Sequence, residues 1–402
     1  MNVPYVLDWL NLVVRWAHVI AGISWIGASF YFVWLDDSLT PPAKDEDLRN
    51  GVSGELWGVH GGGFYHSQKF LTGPKNEPLP QNLHWFKWEA YTTWLSGMAM
   101  LAIIYWAGAA TFLIDRSVLD LTPPAAIAIS IAAIVVGWFV YDALCRIFET
   151  RPVALWTALG AFLLFADWGL FHVFGGRAAF LHVGAIIGTI MVANVLFVII
   201  PGQQRMLAQI RAGQEPDPRP GRLGKMRSVH NTYLTLPVIF TMIANHYPIT
   251  YGGAWGWLVL AALAAAGVLV RRFFVLSHKG RMVWALPAAA VVLIALTALA
   301  IAPRERAAAV APAGAPPPSY TSVAGIVAQR CAVCHAVNPT QTGFSAPPAG
   351  VLLDTPFNVK LNASRVYAQA VATHAMPLGN ITQMTDAERT TLGAWIDAGA
   401  NL

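Results

Sequence analysis

Long apolar stretches, separated by polar loops, fill the chain up to residue 301. A helix that crosses the hydrocarbon core of a bilayer needs about 17–25 mainly apolar residues, at a rise of about 1.5 Å each. Eight stretches have this length, at approximately 9–35, 88–113, 124–145, 153–174, 179–200, 229–247, 255–276 and 283–301. The pattern predicts an all-α, polytopic membrane helix bundle with about eight spans over residues 1–301.

The placement of cationic residues predicts the orientation of these spans. Alternate loops carry 17 Lys and Arg residues on one side and 4 on the other. Because cytoplasmic loops are enriched in Lys and Arg, the side with 17 is expected to face the cytoplasm. Both termini are then outside it. The first stretch lacks a basic leader and a small-residue cleavage site, so we expect a true span rather than a signal peptide.

Composition supports a lipid environment. Of the 402 residues 56% are hydrophobic and only 12% are charged, whereas about 25% are charged in soluble domains. This excludes a disordered, collagen-like or disulfide-scaffold protein. The net charge of +5 is modest, so we expect the lipid bilayer as a partner and no nucleic acid.

A change of composition marks a second domain. Residues 302–319 form a Pro- and Ala-rich linker, and residues 320–402 have the composition of a small soluble domain. This domain contains Cys331-Ala332-Val333-Cys334-His335, a pattern typical of c-type haem attachment. The remaining cysteine, Cys145, lies in an apolar stretch and is expected to be an inert buried thiol. The alternative for the motif is a chance match or a zinc half-site, but no second ligand pair follows at zinc spacing.

The pattern around this motif predicts a class I cytochrome c. Cys331 and Cys334 would bind haem c covalently, and His335 would be the proximal ligand of the metal, the haem iron. Met376 is the predicted second iron ligand, because Pro377 keeps its segment out of a helix; Met384 and His374 are alternatives. Thr385-Asp386-Ala387-Glu388 is a capping box. It opens a final helix whose apolar face is expected to pack on a short helix at 322–330.

Histidines of the membrane part are candidates for a second haem. Four lie toward the predicted outer side, namely His18, His172, His182 and His246, and five lie toward the cytoplasm, namely His60, His66, His84, His230 and His278. A b-type haem on His18 or His182 is one possibility. The alternative is hydrogen bonding to neighbouring helices. Arg15 and Asp167 lie at matching depths, which permits an ion pair within the membrane.

The longest polar loop, residues 36–85, holds the catalytic candidates. Glu55, His60, His66 and Lys69 could supply acid, base and positive charge around three consecutive glycines that allow close approach to a ligand. Aromatic side chains between them offer stacking faces for a planar anionic heterocycle. The alternative is a mobile connector.

Several segments together resemble the membrane-bound urate hydroxylase (urate oxidase) family. They are Arg15-Trp16-Ala17-His18-Val19, Trp25-Ile26-Gly27, the stretch from Glu55 to Lys69, Gly188-Thr189-Ile190-Met191-Val192-Ala193-Asn194-Val195, and the terminal cytochrome. The resemblance implies a bacterial inner-membrane enzyme that oxidises urate to 5-hydroxyisourate, with water as the oxygen source. Electrons would leave through haem c to a downstream cytochrome c or terminal oxidase of the respiratory chain.

Under this hypothesis Glu55, His60 and His66 are candidates for the general base and Lys69 for holding the urate anion. If urate binds this cytoplasmic loop, its electrons must cross the bilayer, which predicts a relay such as a b-type haem on His18 or His182. A substrate site near the outer histidines is the alternative. The rival function is a membrane-anchored cytochrome c subunit of a dehydrogenase or oxidase complex without its own substrate site.

Overall fold

The computed structural model describes residues 3–302 and 319–402, so the predicted linker lies almost wholly outside the described residues. Residues 3–302 form a helical bundle with one β-hairpin. Its helices are α1 (Val3–Ser38), α2 (Asp45–Asn50), α3 (Trp88–Met100), α4 (Pro123–Ile147), α5 (Pro152–Phe171), α6 (Gly176–Ala193), α7 (Ile200–Arg211), α8 (Pro218–Ala244), α9 (Pro248–Tyr251), α10 (Gly256–His278) and α11 (Ala285–Ala300). Segments of π-helix extend α3 at Leu101–Trp106 and Ala109–Leu113, and join α6 to α7 at Asn194–Ile199.

Helix forms at each of the eight predicted apolar stretches. Among the described residues, five helical stretches are long and apolar enough to cross a membrane: Val6–Ser38, Pro123–Ile147, Pro152–Phe171, Gly176–Arg211 and Gly256–His278. The other three differ for physical reasons. The stretch after residue 88 is divided between α3 and π-helix, α8 begins with a charged segment, and α11 has only 16 residues. The count of eight spans stays a prediction.

Helix α6 lies at the centre of the bundle, with most of its side chains buried. It packs closely against α8 at Gly184, where an added Cβ would lie 2.1 Å from Thr241 Oγ1. It packs against α4 where a Cβ on Gly137 would lie 2.7 Å from the Ile186 side chain. Glycine at both contacts therefore fixes the positions of three helices.

The described residues are mostly helical, as predicted, but an antiparallel hairpin adds a small β element to the expected all-α fold. Strands β1 (Val52–His60) and β2 (Gly63–Phe70) pair with Trp57 opposite His66. The two residues between them, Gly61 and Gly62, have φ of 59° and 83°. Two positive φ values in a two-residue loop suit the right-handed twist of a hairpin. The polar loop is thus an ordered element rather than an unstructured connector.

Residues 319–402 form a separate helical unit with its own core. Its helices are α12 (Tyr320–Arg330), α13 (Pro356–Leu361), α14 (Ala363–Val366) and α15 (Asp386–Asp397), with π-helix at Tyr367–Ala372 and 3₁₀ turns at Pro348–Gly350 and Leu378–Asn380. The capping box is confirmed, since Thr385 and Glu388 exchange hydrogen bonds at the start of α15. Helix α15 packs on α12 as predicted, with Leu392 and Trp395 fully buried.

The C-terminal unit contacts one end of the bundle through residues 373–380, which we call the Met376 loop. A Cβ on Gly379 in this loop would lie 2.3 Å from the Ile114 carbonyl oxygen, and Ala375 packs against the core of the bundle. Ser345 also donates a hydrogen bond to Asp8 near the start of α1, at 3.0 Å. The hairpin follows the other end of α1. The hairpin and the C-terminal unit therefore lie at opposite ends of the bundle.

Gly379→Ala is expected to loosen this contact, because the new methyl group would overlap the Ile114 carbonyl. Gly350→Ala is the matched control: its φ is also positive, at 66°, but no atom of the described residues lies within 4 Å of an added Cβ. Both variants carry the strain of a left-handed backbone, about 1–2 kcal/mol. Hydrogen exchange of residues 111–115 and 373–380 should accelerate in Gly379→Ala alone. Equal exchange in the two variants would contradict the close contact.

Candidate functional site

The hairpin brings together two of its four predicted catalytic residues. His66 Nε2 lies 2.7 Å from Glu55 Oε2, and the Ala43 amide donates to Glu55 Oε1 at 2.7 Å. The His66 ring stacks on Trp57 with centroids 4.3 Å apart. The Ala43 hydrogen bond, followed by that of His66, holds the pKa of the buried Glu55 carboxyl below its usual value. The result is an ionised acid paired with a histidine.

The other two predicted residues are elsewhere. Lys69 forms an ion pair with Asp36, which also pairs with Lys225 of α8. Its charge is therefore neutralised at the end of α1 rather than directed at Glu55 and His66. His60 is exposed beside the hairpin turn. The structure thus brings two of the four side chains together, and the catalytic role of all four stays a prediction.

The motif residues of the C-terminal unit share one cavity. Its lining comprises Thr111, Arg330, Cys331, Cys334, His335, Phe344, Pro348, Ala370, Met376, Pro377, Leu378 and Ile381. Both cysteines are free thiols, and burial raises the pKa of Cys331 to about 11. Thr111 belongs to the bundle, so the wall of this cavity is completed by the other unit. The cysteines, the imidazole and the thioether make a donor set that could hold a covalently attached haem.

Hydrogen bonds orient both predicted iron ligands. His335 Nδ1 donates to the Val351 carbonyl at 2.9 Å, which leaves Nε2 as the nitrogen with a free lone pair. The Met376 amide donates to the Gln369 carbonyl at 2.9 Å, and its carbonyl accepts from Arg389 Nη1 at 2.7 Å. These contacts fit a His and Met pair presented to one group.

The alternative ligands are less well placed. Met384 is 3% exposed and packs in the core of the C-terminal unit. His374, in the described part of the chain, is not among the residues that line the cavity. No group of three or more His, Cys, Asp or Glu side chains suited to a metal ion occurs within residues 3–302 and 319–402. A haem iron held by one His and one Met requires no such group, and the haem stays a prediction.

The two histidines predicted to hold a b-type haem make hydrogen bonds within the bundle. His182 is fully buried, with Nε2 at 2.6 Å from Ser130 Oγ and Nδ1 at 2.7 Å from the Ala178 carbonyl oxygen. His18 Nδ1 lies 2.9 Å from the Thr93 carbonyl oxygen. Ligation by His182 would require one of its hydrogen bonds to break. The b-type haem stays a prediction.

The predicted ion pair between Arg15 and Asp167 is wrong. Arg15 donates to Asn11, one turn back on α1, at 3.0 Å. Asp167 is 3% exposed, and neither of its carboxylate oxygens has a hydrogen-bond partner within the described ranges. Matching depth did not place the two side chains on facing sides of their helices.

A buried polar network between α4, α6 and α8 was not predicted as a unit. We call it the Tyr141 cluster, and it comprises Tyr141, Asn194, Arg227, His230 and Asn231. The Tyr141 hydroxyl lies 2.8 Å from His230 Nδ1 and accepts from Asn194 Nδ2 at 2.9 Å. Asn194 also donates to Asn231 Oδ1 at 2.9 Å, and Arg227 donates to Asn194 Oδ1 at 3.2 Å. The sequence feature that could have indicated this cluster is the helical spacing of Arg227, His230 and Asn231 on α8.

A further cleft lies at the hairpin end of the bundle. Its lining consists of Gln81, Asn82, Leu83, Trp85, Gln204, Leu207, Ala208 and Arg211. Arg211 is already engaged, because it donates to the Gln81 carbonyl oxygen at 3.1 Å. Within the described residues none of the predicted catalytic side chains lines this cleft, so it does not unite the hairpin candidates into a site.

Several helices of the bundle are long and apolar enough to cross a membrane, which is compatible with a membrane protein. Residues 4–302 match a family described as Urate oxidase N-terminal. The chain belongs to this family, which indicates an oxidoreductase that acts on urate. Neither a curated protein nor a solved structure matches the chain. The match ends at residue 302, so the C-terminal unit lies beyond it.

Glu55→Gln is expected to lower the thermal unfolding midpoint at neutral pH, because it removes the charge paired with His66 while keeping an acceptor for Ala43. The fold depresses the pKa of Glu55, so the ionised form stabilises the folded state. This contribution is complete above the ordinary value of 4.5 and is lost as the pH falls through the depressed value. The midpoints of variant and parent should therefore converge in acid. The exposed Glu46, changed to Gln, is the control, and a gap that persists in acid would exclude the charge effect.

Proposed function

We propose that this protein is an integral-membrane oxidoreductase that oxidises urate to 5-hydroxyisourate and passes the electrons to a haem c held by its own C-terminal unit. One observation carries the proposal: Cys331, Cys334, His335 and Met376 line a cavity whose wall is completed by Thr111 of the urate oxidase N-terminal part. A cofactor at that position would lie next to the part of the chain that belongs to the urate-related family.

The number of electrons released by the reaction is compatible with haem as the electron acceptor. Urate and water give 5-hydroxyisourate, two electrons and two protons. The haem, when bound, takes up one electron at a time, so each turnover needs two transfers to an external one-electron acceptor such as a cytochrome c or terminal oxidase. Cys331 and Cys334 would attach the haem, and His335 and Met376 would ligate its iron. A thioether ligand raises the reduction potential, which suits an electron acceptor.

The orientation follows from two independent features. The loop charges of 17 against 4 predict that the C-terminal unit lies outside the cytoplasm. Attachment of haem to a Cys-x-x-Cys-His motif takes place on the outer face of bacterial membranes. Both features support a periplasmic position of the C-terminal unit at an inner membrane.

Anaerobic addition of urate to the purified, haem-loaded chain tests the function. We expect the visible bands of the c-type haem to change to the reduced form, with one urate consumed per two haems reduced. Xanthine, which lacks the third ring carbonyl, is the control and should leave the bands unchanged. Absence of reduction by urate would favour the rival function of an electron-transfer subunit without its own substrate site.

Met376→Ala is expected to remove the long-wavelength absorption band of methionine-ligated ferric haem and to lower the reduction potential. Met384→Leu is the control, because that side chain packs in the core of the C-terminal unit. It should keep both the band and the potential. The opposite pattern, with the band lost in Met384→Leu alone, would assign the ligand to Met384.

A further inference from the structure

Three polar side chains are buried near the face of the bundle that contacts the C-terminal unit. Within the described ranges, the Tyr105 hydroxyl, Arg177 Nε and Asn245 Oδ1 are shielded from solvent and have no hydrogen-bond partner. Tyr105 is only 3% exposed. Native proteins rarely leave buried polar atoms unpaired, so each such atom needs an explanation. We call these three residues the Tyr105 cluster.

The three side chains come from different elements and converge. Tyr105 belongs to the π-helix after α3, Arg177 to the first turn of α6, and Asn245 follows the end of α8. The Tyr105 hydroxyl interacts with both the Arg177 guanidinium and the Asn245 side chain, but neither contact has the geometry of a regular hydrogen bond. Tyr251 interacts with Arg177 and Tyr105 from a further side. The unpaired groups therefore form one cluster rather than three separate defects.

Phe112 lies between this cluster and the cavity of the C-terminal unit. Its ring centroid is 6.4 Å from that of Tyr105 and 6.3 Å from that of Phe344, which lines the cavity. The Arg177 guanidinium lies 5.9 Å from the same ring. A single aromatic side chain thus separates the Tyr105 cluster from residues that line the predicted haem site.

The hairpin is far from that cavity. It is tied to Asp36 through Lys69, whereas the C-terminal unit is hydrogen-bonded to Asp8 through Ser345. The 28 helical residues between these two points of α1 span about 42 Å. Electron tunnelling through protein slows exponentially with distance. A substrate oxidised at the hairpin would need an intermediate carrier, whereas one beside Phe112 would not.

From these observations we infer that the Tyr105 cluster binds the urate anion, so that urate is oxidised beside the C-terminal unit; this rests on the proposed function. A guanidinium, a phenol hydroxyl and an amide match the alternating carbonyl and N–H groups on the rim of a planar anion. Water supplies the oxygen atom of the new hydroxyl group and two protons are released. The two electrons leave in two steps past Phe112 toward the C-terminal unit, which would pass them to an external one-electron acceptor such as a cytochrome c.

The Tyr141 cluster is a weaker candidate for this role. Its hydroxyl and amide groups donate to and accept from one another, and Arg227 also pairs with Asp142 at 2.6 Å. Within the described residues, Arg227 Nε is the one atom of this cluster that is buried without a partner. A ligand there would have to break the other bonds, whereas each side chain of the Tyr105 cluster offers an atom without a regular hydrogen bond. Extensive mutual hydrogen bonding suits a structural network, and spare hydrogen-bonding capacity suits a ligand site.

Tyr105→Phe provides the sharpest test, because it removes one unpaired hydroxyl and keeps the shape of the ring. If the hydroxyl has no ligand, its removal should be neutral or stabilising. If it binds urate, the dissociation constant for urate should rise about tenfold or more. Arg177→Met should raise it about a hundredfold or more by removing the charge. Binding is measured anaerobically by equilibrium dialysis of labelled urate, separately from haem reduction.

Arg116→Met is the control for charge, since Arg116 is an exposed arginine near the same end of the bundle and pairs with Asp120. It should bind urate as the parent does. The spectrum and reduction potential of the haem should be unchanged in all three variants. Weaker binding in Glu55→Gln or His66→Asn, with parental binding in Tyr105→Phe and Arg177→Met, would overturn the inference and return the site to the hairpin. Failure of the parent itself to bind urate or reduce its haem would instead overturn the proposed function, and the inference with it.

Discussion

Close packing of α6 against its neighbours is the constraint on which the bundle depends. At Gly184 the helix approaches Thr241 so closely that no side chain fits, and α4 is held by the same kind of contact at Gly137. Helix α6 carries Arg177 in its first turn and leads into Asn194, about 25 Å along the same axis. The position of one helix thus determines where both buried polar clusters lie.

Features set by local sequence were predicted well. All eight apolar stretches became helix, and the capping box at Thr385 formed as expected, because each depends on residues close together in the chain. The hairpin could have been predicted too. Gly61 and Gly62 were interpreted as room for a ligand, although two glycines between β-forming residues indicate a turn. Pairing across that turn places Glu55 and His66 on one face.

Contacts between helices could not be predicted in the same way. Depth along a helix follows from counting residues, but the direction of a side chain depends on rotation about the helix axis, which packing determines. Arg15 and Asp167 show this. Their depths match, but within the described residues Arg15 bonds to Asn11 and Asp167 has no hydrogen-bond partner. The buried polar roles of Tyr105, Tyr141 and Asn194 could not be predicted for a second reason. These side chains are uncharged at neutral pH, so their burial within a span costs less than that of a charged group and gives a weaker signal in the sequence.

The two buried polar clusters differ in a way that separates stability from function. A buried polar atom left unpaired costs about 1–3 kcal/mol, while a paired one contributes modestly to stability. The Tyr141 cluster is extensively paired across α4, α6 and α8, which favours one arrangement of these helices. In the described part of the chain, the Tyr105 cluster retains unpaired groups at the face that contacts the C-terminal unit. A bundle fixed by α6 and the extensively paired Tyr141 cluster can tolerate that cost, and a bound anion would offset it by supplying the missing partners.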